Sequence, residues 1–291
     1  MIPFGKYRGQ DLSDVAASDP GYLSWALQNA SHDWVDGHRG DIQQALTDAA
    51  EAKSAAQPPL TLTDHQQTII DSLIGHIRAG EPVVRLDGGA GYGKSYTVLG
   101  LLKQLRAEDG INAAACATSY VATQVLAEAL EPHGFPCATV ARTLKQTKMF
   151  KDGVESYEIT PDSWVAAQEH LSEGNTLVVD ECSMINDEIS TLLLDTANRS
   201  GGTLILVGDR YQLPPFKQEW VSKCCLTSPV ETLTKPMRYS EDSNLYAVEQ
   251  IARYDPWRSL SLMPSDQVVI TDDLVGEYVR NYRADPLANH R

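Results

Sequence analysis

No run of about 18 consecutive apolar residues occurs anywhere in the 291-residue chain, so no segment reads as a membrane-spanning helix. The opening MIPFGKYRGQ lacks the apolar block of a secretory leader. Cysteine is scarce: Cys116, Cys137, Cys182, Cys224 and Cys225 are five in number and lack metal-type spacing. That argues against a disulfide framework or a zinc site and for reduced thiols used in packing, as in a cytoplasmic protein. Basic residues are outnumbered 24 to 39, for a net charge of −15, which excludes a surface that is one broad nucleic-acid footprint. A local groove remains compatible, because single strands can be held by backbone amides, hydroxyls and a few stacked aromatics.

What is present is a globular composition, 42% hydrophobic and 22% charged, with length for one large or two ordinary domains. The chain is organised around VVRLDGGAGYGKSYTVLGLL, residues 83–102. A short apolar strand runs into a glycine-rich loop, and Lys94-Ser95 open an apolar-periodic helix, which is the context a phosphate loop requires. Gly88, Gly89, Gly91 and Gly93 let the backbone approach an anion, and its N–H groups with the helix N-terminus behind them would face phosphates. Lys94 would lie on the β- and γ-phosphates of ATP, and the Ser95 hydroxyl would ligate magnesium.

Upstream, Leu62-Thr63-Asp64-His65-Gln66 precedes a helix with Thr63 as N-cap, and a glutamine so placed, Gln66, can read the adenine edge through its carboxamide. Downstream, Asn112–Thr118 is a buried-type strand ending in Thr118-Ser119, at the end where open parallel sheets bind ligands. Phe135–Val140 is another short strand, leading to Arg142. Residues 145–160, KQTKMFKDGVESYEIT, are polar and centred on Asp152-Gly153, a strong hairpin signal. They read as a protruding ribbon that carries Phe150.

The strand Thr176–Val179 ends in Asp180-Glu181. Beside the phosphate-loop strand it would put Asp180 in the magnesium shell and Glu181 where it can deprotonate a water. Gly202–Gly208 is a further buried strand that leads to Gln212, whose amide can touch γ-phosphate and attacking water. Arg238 is either a surface charge or a γ-phosphate contact.

Residues 1–56 read as a separate small α+β module: a tight hairpin over Phe4–Gly9, a helix capped by Asp19-Pro20, and a helix from about Gly40 to Ala55. Gln57-Pro58-Pro59 marks a linker over 57–61. The pattern FGKYRG followed by DPGYLSWAL resembles a module appended to some exonucleases and other DNA-processing proteins. Lys6, Tyr7 and Arg8 could contact nucleic acid there, although aromatics beside glycines read first as a miniature core.

Taken in order, LTDHQ, GGAGYGKS, DECSMI, GDRYQLPP and LTKPMR resemble motifs of superfamily 1 helicases of the RecD and Dda type, which move 5′ to 3′ on single-stranded DNA. The resemblance implies an α/β fold: a RecA-like phosphate-loop ATPase domain over 62–238 with a parallel sheet and an inserted wedge hairpin at 145–160. Residues 239–291, with a helix near Asn244–Arg253, a strand around Val268–Ile270 and a helix near Leu274–Tyr282, would begin a second RecA-like domain. It implies that Gln66, Gly88, Gly89, Ala90, Gly91, Tyr92, Gly93, Lys94, Ser95 and Tyr96 hold ATP. Ser95 and Asp180 would hold Mg2+, and Glu181, Gln212, Arg238 and Lys94 would carry hydrolysis. Thr118, Ser119, Thr139, Arg142 and Phe150 would contact single-stranded DNA or single/double-strand junctions. Cys116-Ala117-Thr118 and Thr139-Val140-Ala141-Arg142 stand where the family often reads Ala-Pro-Thr and Thr-x-His-Arg. The later motifs, with a second arginine, lie beyond the resemblance. A separate or downstream chain is therefore expected to supply a second RecA-like domain, with slow turnover in its absence. A non-translocating ATP-binding switch is the alternative. A small-molecule kinase is disfavoured, because Asp180-Glu181 and Gln212 belong to a hydrolysis cycle and no substrate lid is evident.

Overall fold

The computed structural model describes residues 1–254 except 4, 30–32, 56–59, 152–153 and 217. The expected strand near 268–270, the helix near 274–282, the linker dipeptide Pro58-Pro59 and the hairpin tip Asp152-Gly153 lie outside the described residues. Residues 1–89 with 93–233 form one compact unit, and 90–92 with the chain from 234 onward form a second.

The N-terminal residues fold as four helices: α1 (Leu12–Ser18), α2 (Pro20–Asn29), α3 (Asp33–Gly37) and α4 (Arg39–Ala55). Ile2, Val15, Ala16, Leu23, Val35 and Ile42 make a small core of their own, with Tyr7 and Tyr22 packed on it edge to face. The expected hairpin is instead a run of turns closed by Ile2 N–H to Gln10 O and Gly9 N–H to Ile2 O. Two backbone bonds close a loop but propagate no ladder, so among the described residues of this module there is no strand. Tyr7 spends its hydroxyl on Asp19, at 2.8 Å, as a core residue with a polar tip does.

The main sheet comprises β1 (Val83–Gly88), β2 (Asn112–Ala117), β3 (Cys137–Thr139), β6 (Asn175–Asp180), β7 (Thr203–Gly208) and β8 (Val230–Leu233), all parallel, in the order β3-β2-β6-β7-β1-β8. Helices α5 (Asp64–Arg78), α6 (Lys94–Asp109), α7 (Tyr120–Leu130), α8 (Val140–Thr143), α9 (Pro161–His170) and α10 (Asp187–Ser200) connect or flank the strands. β1 is buried along its whole length, and β6 and β7 at all but their first residues. This explains why they read as continuous apolar runs rather than alternating ones. Leu177, Val179, Leu204 and Leu206 point into one core with Leu192, Leu193 and Ala197 of α10.

The order corrects one expectation. β6 does not lie beside the phosphate-loop strand, because β7 pairs with both and stands between them. All six strands run the same way, however, so the acids that end β6 still open onto the same edge as the loop that ends β1.

The ribbon is present as a separate sheet, β4 (Thr147–Lys151) paired antiparallel with β5 (Val154–Glu158). Lys145 enters it at φ 47°, a left-handed conformation that turns the chain out of the parallel layer.

The second unit contains the described helix α11 (Asn244–Tyr254), where a helix over about 244–253 was expected.

Candidate nucleotide site and nucleic-acid edge

The loop after β1 begins α6 at Gly93, whose φ of 82° places it in the left-handed region, where a side chain costs about 1–2 kcal/mol. The first turn of α6 then presents unpaired N–H groups to whatever lies in the loop. Lys94 folds back so that its ammonium donates to Gly88 O at 2.9 Å and Gly89 O at 3.2 Å. Its charge is felt by Asp180, across the edge.

Asp180 is 9% exposed. Burial first, then the Glu181 charge, push its carboxyl up to about 6, against the Glu181 N–H bond and the Lys94 charge that lower it. A buried carboxylate short of positive partners fits a divalent cation, as does the half-buried Ser95 in the first turn of α6.

Glu181 takes φ 52°, ψ 43°, a left-handed conformation uncommon for a non-glycine residue and concentrated at functional sites. Its amide donates to Asp180 Oδ1 at 2.9 Å, and its own Oε2 is buried with no hydrogen-bond partner. An orphaned carboxylate oxygen at the edge of a ligand site is an acceptor held ready for a water. Gln212, in the loop after β7, is fixed from the same side. Ser183 donates its hydroxyl to Gln212 Oε1 at 3.1 Å, which leaves the amide NH2 as a donor. Asp209 shapes the turn by accepting Tyr211 N–H at 3.0 Å. Ser183 and Asp209, both buried, lie within DECSMI and GDRYQLPP, but the bonds they make there were not readable from those motifs.

Two of the side chains expected at the nucleotide have partners inside the fold. Gln66 is 2% exposed, and its carboxamide is spent inside the fold. Oε1 accepts from Thr63 N–H and Oγ1 in a capping box, and Nε2 donates to Thr97 Oγ1 at 3.2 Å. Thr97 in turn donates to Gly93 O at 3.0 Å. Gln66, expected to read adenine, is thereby linked through Thr97 to Gly93 at the start of α6. Tyr92 is 3% exposed, with its hydroxyl bonded to Glu249 and Gln250, so only its backbone is available to phosphate. Gly89 is buried, Ala90 exposed and Tyr96 41% exposed. Within the second unit, Arg238 is exposed and its aliphatic stem lies against Gly91.

On the other side of the sheet, β2 and β3 pair with Ala117 opposite Thr139, which brings Thr118-Ser119 and Thr139 to one stretch of the edge. Ser119 accepts Ala122 N–H and caps α7, and Thr139 accepts Arg142 N–H and caps α8. Each hydroxyl keeps its own proton to donate. Thr118 Oγ1 lies 3.8 Å from Met184 Sδ, in the loop that follows the two acids. Arg142 is exposed, and Phe150 on the ribbon is 70% exposed with Lys148 over its ring.

All five cysteines are free. Burial pushes the Cys116 and Cys137 thiols up to about 12 and Cys224 to about 11, so these behave as packing groups. Among the described residues no group of three or more His, Cys, Asp and Glu side chains comes together as a metal site.

Residues 61–271 match the family model described as AAA domain. Residues 2–31 match that described as exodeoxyribonuclease X-like C-terminal. The chain is 24% identical over 212 residues to a probable conjugal transfer protein TraA of Sinorhizobium fredii (strain NBRC 101917 / NGR234), covering 73% of this chain and 16% of that protein. Similar solved structures include Pif1 helicase from Candida albicans, at 18% identity and TM-score 0.44 over 77% of this chain and 55% of that one. Another is Bacteroides sp Pif1 in complex with ADP-AlF4, at 18% identity and TM-score 0.47 over 79% and 58%. The chain therefore spans about one sixth of the curated relative and little more than half of those Pif1 chains.

Proposed function

We propose, from the premise that the chain belongs to the AAA domain family whose model covers residues 61–271, that it is the ATPase motor domain of a superfamily 1 DNA helicase of the RecD and Dda type, moving 5′ to 3′ on single-stranded DNA. The observation that carries this reading is the orphaned Oε2 of Glu181 on a left-handed backbone, together with a Gln212 amide pinned by Ser183, two residues further along the chain from Glu181. A nucleotide cradle alone needs neither. A hydrolysis step needs both, one to take a proton from water and one to report on the γ-phosphate.

In this reading the amides of residues 88–95 cup the phosphates of ATP. Lys94 leaves the carbonyls of Gly88 and Gly89 for the β- and γ-oxygens. Ser95 and Asp180 would hold Mg2+, which supplies charge neutralisation on the phosphates when bound. Glu181 accepts the proton of the attacking water, and Gln212 donates to the γ-phosphate. Arg238 adds positive charge there, and a second RecA-like domain would contribute the facing arginine that full turnover needs. Thr118, Ser119 and Thr139 donate to the backbone of a single strand, Arg142 pairs with its phosphates, and Phe150 on the ribbon meets the bases at a duplex junction. Residues 2–31 would serve as an accessory module of the exonuclease-associated type.

The test is ATP hydrolysis with and without single-stranded DNA, together with the Glu181→Gln variant. Stimulation by DNA that vanishes in Glu181→Gln while ATP binding persists supports the helicase reading. Tight ATP binding with no stimulation, even with a second RecA-like domain added, points to the switch instead.

A further inference from the structure

Ala90–Tyr92, the crown of the phosphate loop, groups with the segment that follows β8 rather than with the sheet. Three contacts produce this. Met237 N–H donates to Gly91 O at 2.9 Å. Gly91, at φ 81°, lies under Arg238 so closely that a Cβ there would meet the arginine stem at 2.9–3.2 Å. Tyr92 then turns into α11, where its hydroxyl donates to Glu249 Oε2 at 3.2 Å and accepts from Gln250 Nε2 at 3.0 Å. Tyr239 donates to the same Glu249 oxygen, and Arg253 Nε donates to Oε1 at 2.9 Å with its guanidinium over the Tyr92 ring. Burial, then the Glu249 charge, push the Tyr92 phenol up to about 12, so it remains a donor at every ordinary pH.

α11 has 11 residues and none fully buried, and helices shorter than about 12–15 residues are marginal in water without tertiary support. Among the described residues, this polar cluster supplies side-chain bonds that tie α11 to residues 90–92. A nucleotide that fixes residues 90–92 also fixes what they hold, and by linkage the converse is equally true.

We propose that Tyr92 is a positioning residue of the nucleotide site, through which occupancy of the phosphate loop is coupled to the order of α11 by its bonds to Glu249 and Gln250. This rests on the nucleotide reading given above. It assigns the Tyr92 side chain a role distinct from phosphate contact, which its backbone alone performs.

The test is hydrogen exchange of the full chain with and without saturating Mg·ADP, read at residues 244–254 and, separately, at the first turn of α6. In the wild type, ADP should slow exchange in both places, at 244–254 by about fivefold or more, the low end of usual coupling strengths. In Tyr92→Phe and in Glu249→Ala with Gln250→Ala, the first turn of α6 should stay protected by ADP while protection of 244–254 is lost. Equal protection of 244–254 in either variant, or none in a wild type whose α6 is protected, overturns the proposal. Absence of ADP protection at α6 in the wild type would overturn the nucleotide reading itself, and this proposal with it.

Discussion

Ser183 donates to Gln212 Oε1 at 3.1 Å, and this bond ties the turn after the Asp180-Glu181 strand to the turn after its neighbour. Neither residue can swing without the other, so the amide that would meet the γ-phosphate is aimed by a hydroxyl one turn away from the base. Replacing Ser183 with alanine leaves the half-buried carbonyl of Gln212 without the donor that aims its amide. The expected outcome is a fall in kcat of about tenfold or more with KM for ATP nearly unchanged, because the loss falls on aim rather than binding. Steady-state kinetics in the presence of single-stranded DNA check it. A rise in KM alone would assign Ser183 to nucleotide binding.

Asp180 carries a pH signature. Its folded carboxyl is raised from 3.8 to about 6 by burial, so between those values the native chain holds a proton that the unfolded chain has released. Stability contributed by this group is complete below the lower value and is lost as pH rises through the upper one, to a total on the order of 3 kcal/mol. Urea unfolding at about pH 4 and about pH 7 should show this fall in the wild type without divalent ions and a smaller one in Asp180→Asn. Mg·ADP should recover more stability in the wild type than in the variant. Parallel pH profiles for the two proteins would contradict the placement.

Gln66 separates two roles cleanly. As a brace it joins the Thr63 capping box to Thr97 and so to Gly93. Gln66→Ala should therefore lower unfolding stability by about 1–3 kcal/mol and weaken ATP and GTP binding in parallel. Thermal melts and nucleotide titrations check this. Selective loss of ATP over GTP would return the residue to the adenine edge.

Much of this site was legible in the residues because its information is local. Gly91, Gly93, Lys94 and Ser95 sit in one loop whose spacing sets its geometry, and β1, β6 and β7 are apolar runs because both their faces are covered. What escaped depends on partners distant along the chain. The insertion of β7 between β1 and β6 is a matter of strand order, which apolar runs do not encode. Gln66 and Tyr92 carry side chains able to face a nucleotide. Their actual partners, Thr97, Glu249 and Gln250, are set only once helices pack. The left-handed backbone of Glu181 has no signature in the dipeptide Asp-Glu. In the N-terminal module the sequence Phe4–Gly9 alternates as hairpins do, yet the closure stops at two backbone bonds.

The account stands most directly on calorimetric titration of Mg·ATP analogue into the wild type and Lys94→Ala. Lys94 donates to the carbonyls of Gly88 and Gly89, and its charge acts on Asp180. The expected result is saturable one-to-one binding to the wild type and none to the variant, with both proteins folded. Equal affinity in the two would place the nucleotide elsewhere and contradict the site.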